Sequence, residues 1–523
     1  MSVAHFTLLV VAFVSSVILT AIARVVATRI GLVDQPDAHR KMHVHSTPLG
    51  GGIAVLLSVL ITIGAAWFAP SAWGAVIGQS SSELAFVAMA VALLAVVGLI
   101  DDFKAIRARQ KLLGQILACL VAMCSGLVVY NVHFFGYDLQ LGLLAWPITL
   151  FWLLGAINSV NLIDGADGLA ATVGVILSTT LAFMALMTGH QLEAIMALAL
   201  AGALLGFLVF NFPPATIFLG DAGSMVIGLL LGVLAIRCAL KGPATYAMMA
   251  PLAIWAVPAF DTGLAILRRK LTGRSIAATD RGHLHHCLLR RGFGNRQMLV
   301  WVAVLCLITA TGAIVSLRRE NELFAVAGVG ITIAIMVLTR VFGHAEAMLV
   351  ANSVRNFSAS FVRPVWRSSN GVHNSAVRLQ GDRNWDSLWE LLIRVADDVP
   401  LYRIRLNLNL PWLHESYHAS WEREPRLQSH ELWRVELPLS AGGRQVGSLA
   451  VAGRNEDGNA TVVLAKLSRW MQNIDDHLSL LMDAERAAQS AGSDAPSGKA
   501  EGSSAPPAPA AGRRLTVEPL QVE

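Results

Sequence analysis

What most limits this chain is a repeated feature: between Phe6 and Phe342 the sequence returns about eleven times to an apolar run of roughly 17 to 25 residues. That length crosses a hydrocarbon core at the rise of an α-helix, and inside lipid a helix satisfies its own backbone. The runs, near 6–28, 51–69, 84–100, 112–130, 141–157, 169–188, 194–210, 222–240, 244–266, 298–317 and 323–342, therefore read as membrane-spanning helices. Composition agrees, with 55% hydrophobic and 14% charged residues in 523, far from the balance of a soluble domain. The first run lacks a basic leader and carries Arg24 and Arg29 at its far end, so it reads as a retained span. With 40 basic and 35 acidic residues, bulk charge gives no support for nucleic-acid binding. The 5 cysteines show no metal-ligand spacing and read as small core hydrophobes.

Basic residues in short loops set orientation. Arg40 and Lys41 follow the first run, Lys104 to Lys111 the third, and Arg268 to Arg291 the ninth, whereas 70–83 and 131–140 contain no Lys or Arg. Lys241, Arg318 and Arg319 run against this majority. The expectation is an all-α polytopic membrane domain over 1–342 with its N-terminus out and C-terminus in. Beyond it, 343–490 reads as a small cytoplasmic α+β domain. Alternating strands there begin at Tyr402, Leu432 and Val446, and a helix-period stretch covers about 461–488. From Ala491 to the end, Ala, Ser, Pro and Gly dominate and disorder is expected.

This topology places every polar motif on one face. Asp101-Asp102 ends the third run, where like charges call for a metal or lysine nearby; they suit a general base or a metal-neighbouring acid. The stretch Asn158 to Gly168 follows the fifth run and offers the hard oxygens of Asn161, Asp164 and Asp167, which suit Mg²⁺ better than zinc. If helical, Asn158, Asn161 and Asp164 share one face. Asp221 stands between Gly220 and Gly223 before an apolar helix, as a metal ligand at an anion-attracting helix start or merely as an N-cap. Arg281, His283, His285 and His286 read as phosphate hydrogen-bond donors rather than a zinc set, since no Cys or acid stands at zincin spacing. The segment from His39 through Lys41 to Gly52 cradles a phosphate or contacts anionic headgroups.

Together Gly98-Leu-Ile-Asp101-Asp102, Asn158 to Gly168, Phe218-Leu-Gly-Asp221-Ala-Gly and His283-Leu-His-His286 resemble the polyprenyl-phosphate sugar-1-phosphate transferases, over about residues 5 to 342. The resemblance implies transfer of N-acetylhexosamine 1-phosphate, most often N-acetylglucosamine 1-phosphate, from a UDP-sugar to undecaprenyl phosphate at the cytoplasmic face of the inner membrane. It implies Mg²⁺, with Mn²⁺ as the alternative, on Asn161 and Asp221. Asp101 and Asp102 then keep the lipid phosphate deprotonated, and Asp164 supports the metal or acts as a nucleophile. Asn211 and Phe218 hold the uridine end, while Arg281, His283, His285, His286 and Lys41 hold phosphate oxygens. Because Leu284 interrupts the histidines, the resemblance favours this branch over the phospho-MurNAc-pentapeptide transferases. A polytopic transporter is the rival from another class, and a homodimer is an open expectation.

Overall fold

Long apolar sequences leave their backbones no partner in lipid but themselves, and each of the expected runs carries helix. In the computed structural model the described residues are 3–34, 46–69, 72–135, 137–241, 249–271 and 283–339. In the tail they are 372–380, 385–386, 388–390, 392–393, 401–410, 415–423, 432–441 and 444–454. Lys41, Arg281, the stretch 461–488 and the terminus from Ala491 lie outside the described residues.

The helices are α1 (Val3–Ile30), α2 (Gly51–Phe68), α3 (Ala72–Gln79), α4 (Ser81–Phe103), α5 (Ala108–Met123), α6 (Ala145–Ile163), α7 (Leu169–Met187), α8 (Gln191–Asn211), α9 (Gly220–Lys241), α10 (Met249–Ile254), α11 (Ala256–Leu271), α12 (Leu284–Arg290), α13 (Asn295–Arg319) and α14 (Leu323–Leu338). Among the described residues, 8 helices are long and apolar enough to cross a membrane: α1, α2, α4, α6 with the turn before it, α7, α8, α9 and α13. Helices α5 and α14 have 16 residues each.

The run expected at 244–266 is not one helix. It breaks at Trp255 into α10 and α11, and the prolines at 251 and 258, which lack an N–H, explain why a continuous helix is not held there. The loop expected at 70–83 contains α3, and that at 131–140 folds into an antiparallel hairpin. Phe135 at the tip of that hairpin donates its N–H to Glu322 at 2.7 Å.

Helix α9 is the axis of the bundle. Its apolar window is 100% buried, and α2, α4, α6 and α7 pack on it. By contrast α1 turns Val14, Ile18, Ile22 and Val25 outward, as a lipid-facing helix can without penalty. Small residues set the tightest approach. A Cβ on Gly52 would lie 2.0 Å from Gly223 Cα, and one on Gly98 would lie 2.3 Å from Ala222 Cα, so α2, α4 and α9 meet backbone to backbone at one end. At the opposite end of α4 and α9, buried Arg237 bonds Glu193 at 2.9 Å and Glu83 at 2.8 Å.

The tail strands β5 (Val372–Gln380), β6 (Leu401–Leu410), β7 (Glu415–Arg423), β8 (Leu432–Ala441) and β9 (Arg444–Arg454) form one antiparallel sheet in the order β5-β7-β6-β9-β8, numbered here after two short ribbons at 33–48 (β1, β2) and the hairpin (β3, β4). Alternation in β6 turns Ile404, Leu406 and Leu408 to one face, where they pack with Tyr417, Leu449, Trp385 and Trp389. Strands β6, β8 and β9 occupy the segments expected from the sequence; β5 and β7 were not anticipated.

Candidate active site

The contact of α2 and α4 with the start of α9 creates the site. Asp102, in the last turn of α4, accepts the backbone N–H of Asp221 at 2.7 Å and of Ala222 at 3.2 Å. A helix start leaves four N–H groups without intrahelical partners, and here a carboxylate from another helix meets two of them. Gly220 makes room: its φ is +75°, and a Cβ there would stand 2.6 Å from an Asp102 oxygen. Asp221 is thus not its own helix cap. Its carboxylate stands free of that duty and faces across the bundle.

The adjacent Asp101 takes a different part. It accepts the N–H of Ile106 at 2.9 Å and meets Lys111 Nζ at 3.0 Å. Lys111, from the first turn of α5, also reaches Asp221 at 2.8 Å. The adjacent carboxylates are therefore split: Asp102 fixes α9, and Asp101 shares a lysine with Asp221.

From α6, Asn158 and Asn161 project toward the same place, as spacing by three on a helix requires. Asn158 exchanges hydrogen bonds with Gln115 of α5 at 2.9 and 3.3 Å, while Asn161 Nδ2 donates to Asp221 Oδ1 and to Ser224 Oγ. Asp164 closes α6 and its carboxylate has no hydrogen-bond donor among the described residues. Burial, then the charges of Asp221 and Asp102, push that carboxyl well above its ordinary range.

Four carboxylates at this end, two of them sharing Lys111, are a set that attracts cations. Among the described residues no three His, Cys, Asp or Glu side chains form a ready metal-binding group. Mg²⁺ characteristically takes only one or two protein carboxylates and completes itself with substrate phosphates and water. Asp221, with Asp164 beside it, fits that habit. Asn161 now directs its amide nitrogen at Asp221 and has to turn over to offer its oxygen as a ligand.

The histidine motif joins this end of the bundle. Leu284 N donates to Asp261 Oδ1 at 2.8 Å, and His283 Nδ1 lies 3.0 Å from Asp261 Oδ2; a carboxylate partner there places the proton on Nδ1 and leaves Nε2 for a ligand. His285 is buried against Gly165, whose missing Cβ would sit 3.0 Å from its Nε2. That nitrogen has no hydrogen-bond partner among the described residues, and burial with the neighbouring His286 lowers the His285 pKa to about 3. The ring of His286 lies 4.1 Å from that of His285, tilted by 42°.

Two expected binding residues stand differently. Asn211 is buried and engaged at both ends of its amide, accepting from Gly168 N at 3.0 Å and donating to Ile217 O at 2.8 Å. It braces the loop between α8 and α9. Asp167 does similar work, accepting from Ala215 N at 3.0 Å. Phe218 is half-buried and its backbone is tied to Pro48 and Gly51. Lys111, Gln115 and Asp261 were missed as site residues. Asp261 carried a signal, being a lone acid inside an apolar run; Lys111 had counted only toward orientation.

The glycosyl transferase family 4 model matches residues 84–239. A probable undecaprenyl-phosphate N-acetylglucosaminyl 1-phosphate transferase of Bacillus subtilis (strain 168) is 34% identical over 313 residues, 59% of this chain and 84% of the relative. The undecaprenyl-phosphate alpha-N-acetylglucosaminyl 1-phosphate transferase of Yersinia pestis is 28% identical over 378 residues, covering 71% of this chain and 98% of its own. A phospho-N-acetylmuramoyl-pentapeptide-transferase of Enterococcus hirae is 31% identical over 286 residues, 50% of this chain and 83% of the relative.

Proposed function

Because the chain belongs to glycosyl transferase family 4, among the polyprenyl-phosphate hexosamine-1-phosphate transferases, we propose that it moves N-acetylhexosamine 1-phosphate from a UDP-sugar to undecaprenyl phosphate. N-acetylglucosamine is the favoured sugar. The products are UMP and undecaprenyl-diphospho-sugar, the first lipid-linked step of a cell-surface polysaccharide. The observation that carries this reading is the convergence of Asp101, Lys111, Asn161, Asp164 and Asp221 on the end of α9 that Asp102 caps.

In such a transfer an oxygen of the lipid phosphate attacks the sugar-bearing phosphorus, the bond from that phosphorus to UMP breaks, and UMP leaves with the electron pair. Positioning and charge do most of the work. Lys111 offers an ammonium that can leave its carboxylates for a phosphate oxygen. Asp101, which shares that lysine, orients the attacking group and keeps it ionised. Asp102 is a positioning residue, fixing Asp221 through the backbone it caps. His283, held by Asp261, and His286 line the phosphate side. Asp221, with Asp164 and Asn161 beside it, would hold a magnesium ion, which when bound would supply charge neutralisation for the pyrophosphate of the donor.

The loops richest in Lys and Arg flank this end, which supports an inner-membrane protein with its N-terminus out and its active site cytoplasmic. The Enterococcus hirae relative keeps UDP-MurNAc-pentapeptide as the second candidate donor. The experiment is UMP release by purified protein with undecaprenyl phosphate and Mg²⁺, over a panel of UDP-N-acetylhexosamines and UDP-MurNAc-pentapeptide. Lipid-dependent release abolished by EDTA is expected; no release from any donor by folded protein ends the proposal.

A further inference from the structure

The tail sheet has a second face that its hydrophobic packing does not use. Register across β8, β9, β6 and β7 sets Arg434, Ala452, Arg403 and Glu422 in one row, and Glu436, Ala450, Arg405 and Ser420 in the next. Directly opposed residues in antiparallel strands project to the same side. Strands two apart are separated by about 10 Å, so half-buried Ala450 of β9 forms a floor between Arg434 and Glu436 on one bank and Arg403 and Arg405 on the other, with Ala452 buried beside it.

The charges on these banks are only partly met. Arg403 pairs with Glu422, whereas Arg405 and Arg434 make no ion pair or hydrogen bond among the described residues. Both are exposed. Burial, then the charges of Arg403 and Arg434, hold the Arg405 guanidinium below its ordinary pKa. Like charges set together on one sheet face destabilise it. A guanidinium fork supplies paired donors whose geometry matches phosphate oxygens.

We propose that this trough is a phosphate-binding site, in which Arg405 and Arg434 grip a phosphate group from opposite banks over Ala450 while Arg403 adds charge from beside Glu422. The ligand is a phosphate-bearing molecule, supplied either as a soluble compound or as an anionic lipid headgroup. The inference stands independently of the transfer reaction, since it draws on no residue of the membrane domain.

The test is hydrogen exchange of the full-length protein in lipid nanodiscs, read in peptides of β6 and β9. One arm adds sodium pyrophosphate to phosphatidylcholine discs at ionic strength matched with sodium chloride; the other replaces part of the phosphatidylcholine with phosphatidylglycerol. Ligand at several times its Kd is expected to slow local exchange about fivefold. Slowing by pyrophosphate identifies a soluble phosphate compound, and slowing by phosphatidylglycerol alone identifies a headgroup. The effect is expected to vanish in the Arg405→Gln, Arg434→Gln double variant, whose thermal midpoint should equal or exceed that of the parent because repulsion has been relieved. No slowing of the parent protein in either arm overturns the proposal whatever the variant does. Slowing that survives unchanged in the folded double variant also overturns it.

Discussion

Helices α4 and α9 run side by side and carry a charge network at each end, and the two networks are built on different principles. At one end Arg237 lies between Glu193 and Glu83, at 2.9 and 2.8 Å, with Arg237 and Glu193 both buried. Both acids there are met by one guanidinium of the fold itself. At the other end Asp101 and Asp221 share the ammonium of Lys111, and Asp102 and Asp164 lie close to Asp221. That negative surplus is a standing cost in a buried place, and one that a cation or a cationic transition-state clamp offsets. The first network closes a structure, and the second leaves a demand that substrate and metal can meet.

The sharpest way to break this contrast is to remove one charge from each end. Asp221→Ala should lower turnover about a thousandfold or more, the scale of losing a main electrostatic group, while the fold persists; normal UMP release at saturating Mg²⁺ would place Asp221 outside the site. Arg237→Gln should do the reverse. Breaking a buried pair from one side costs about 3–5 kcal/mol, visible as a large fall in thermal midpoint, with turnover per folded molecule unchanged. A loss of turnover without a loss of stability would mean that the far network serves the chemistry.

Asp102→Asn tests the positioning role between these extremes. Misplacing Asp221 is expected to cut kcat about a hundredfold with little change in donor KM, and loss of a charged cap to cost about 1–2 kcal/mol; an unaltered kcat sinks that role. The smallest effect concerns His285. Its folded pKa of about 3 lies below the ordinary 6.5, so its contribution is complete above pH 6.5 and declines as pH falls from 6.5 toward 3, a window in which the unfolded chain takes a proton that the folded one refuses. At pH 5.5 this amounts to about 1.4 kcal/mol. Chemical unfolding at pH 7.5 and 5.5 should show a smaller acid loss in His285→Asn than in the parent, and equal losses would contradict it.

Much of this was legible in the sequence because lipid imposes harsh rules. Apolar length revealed the helices, and polar residues at their ends pointed to Asp101, Asn161, Asp164 and Asp221, which the fold brings together. What was illegible depended on partners brought from elsewhere in the chain. That Asp102 caps a helix starting 118 residues later, at Gly220, or that Gln115 holds Asn158, is a fact of packing and not of local pattern. Asn211 shows the same limit from the other side: polarity marked it as notable, but only its two buried partners show that it shapes a loop. The break at Trp255 could have been suspected from its flanking prolines, which a hydropathy count passes over.

The backbone contact among Gly52, Gly98, Ala222 and Gly223 has a consequence for inhibition. A compound held by Asp221 would sit on a site whose supporting helix contact accepts no larger residue, since any side chain added at Gly52, Gly98 or Gly223 pushes α9 away from α2 and α4. Escape mutants would have to arise among the residues that touch the compound.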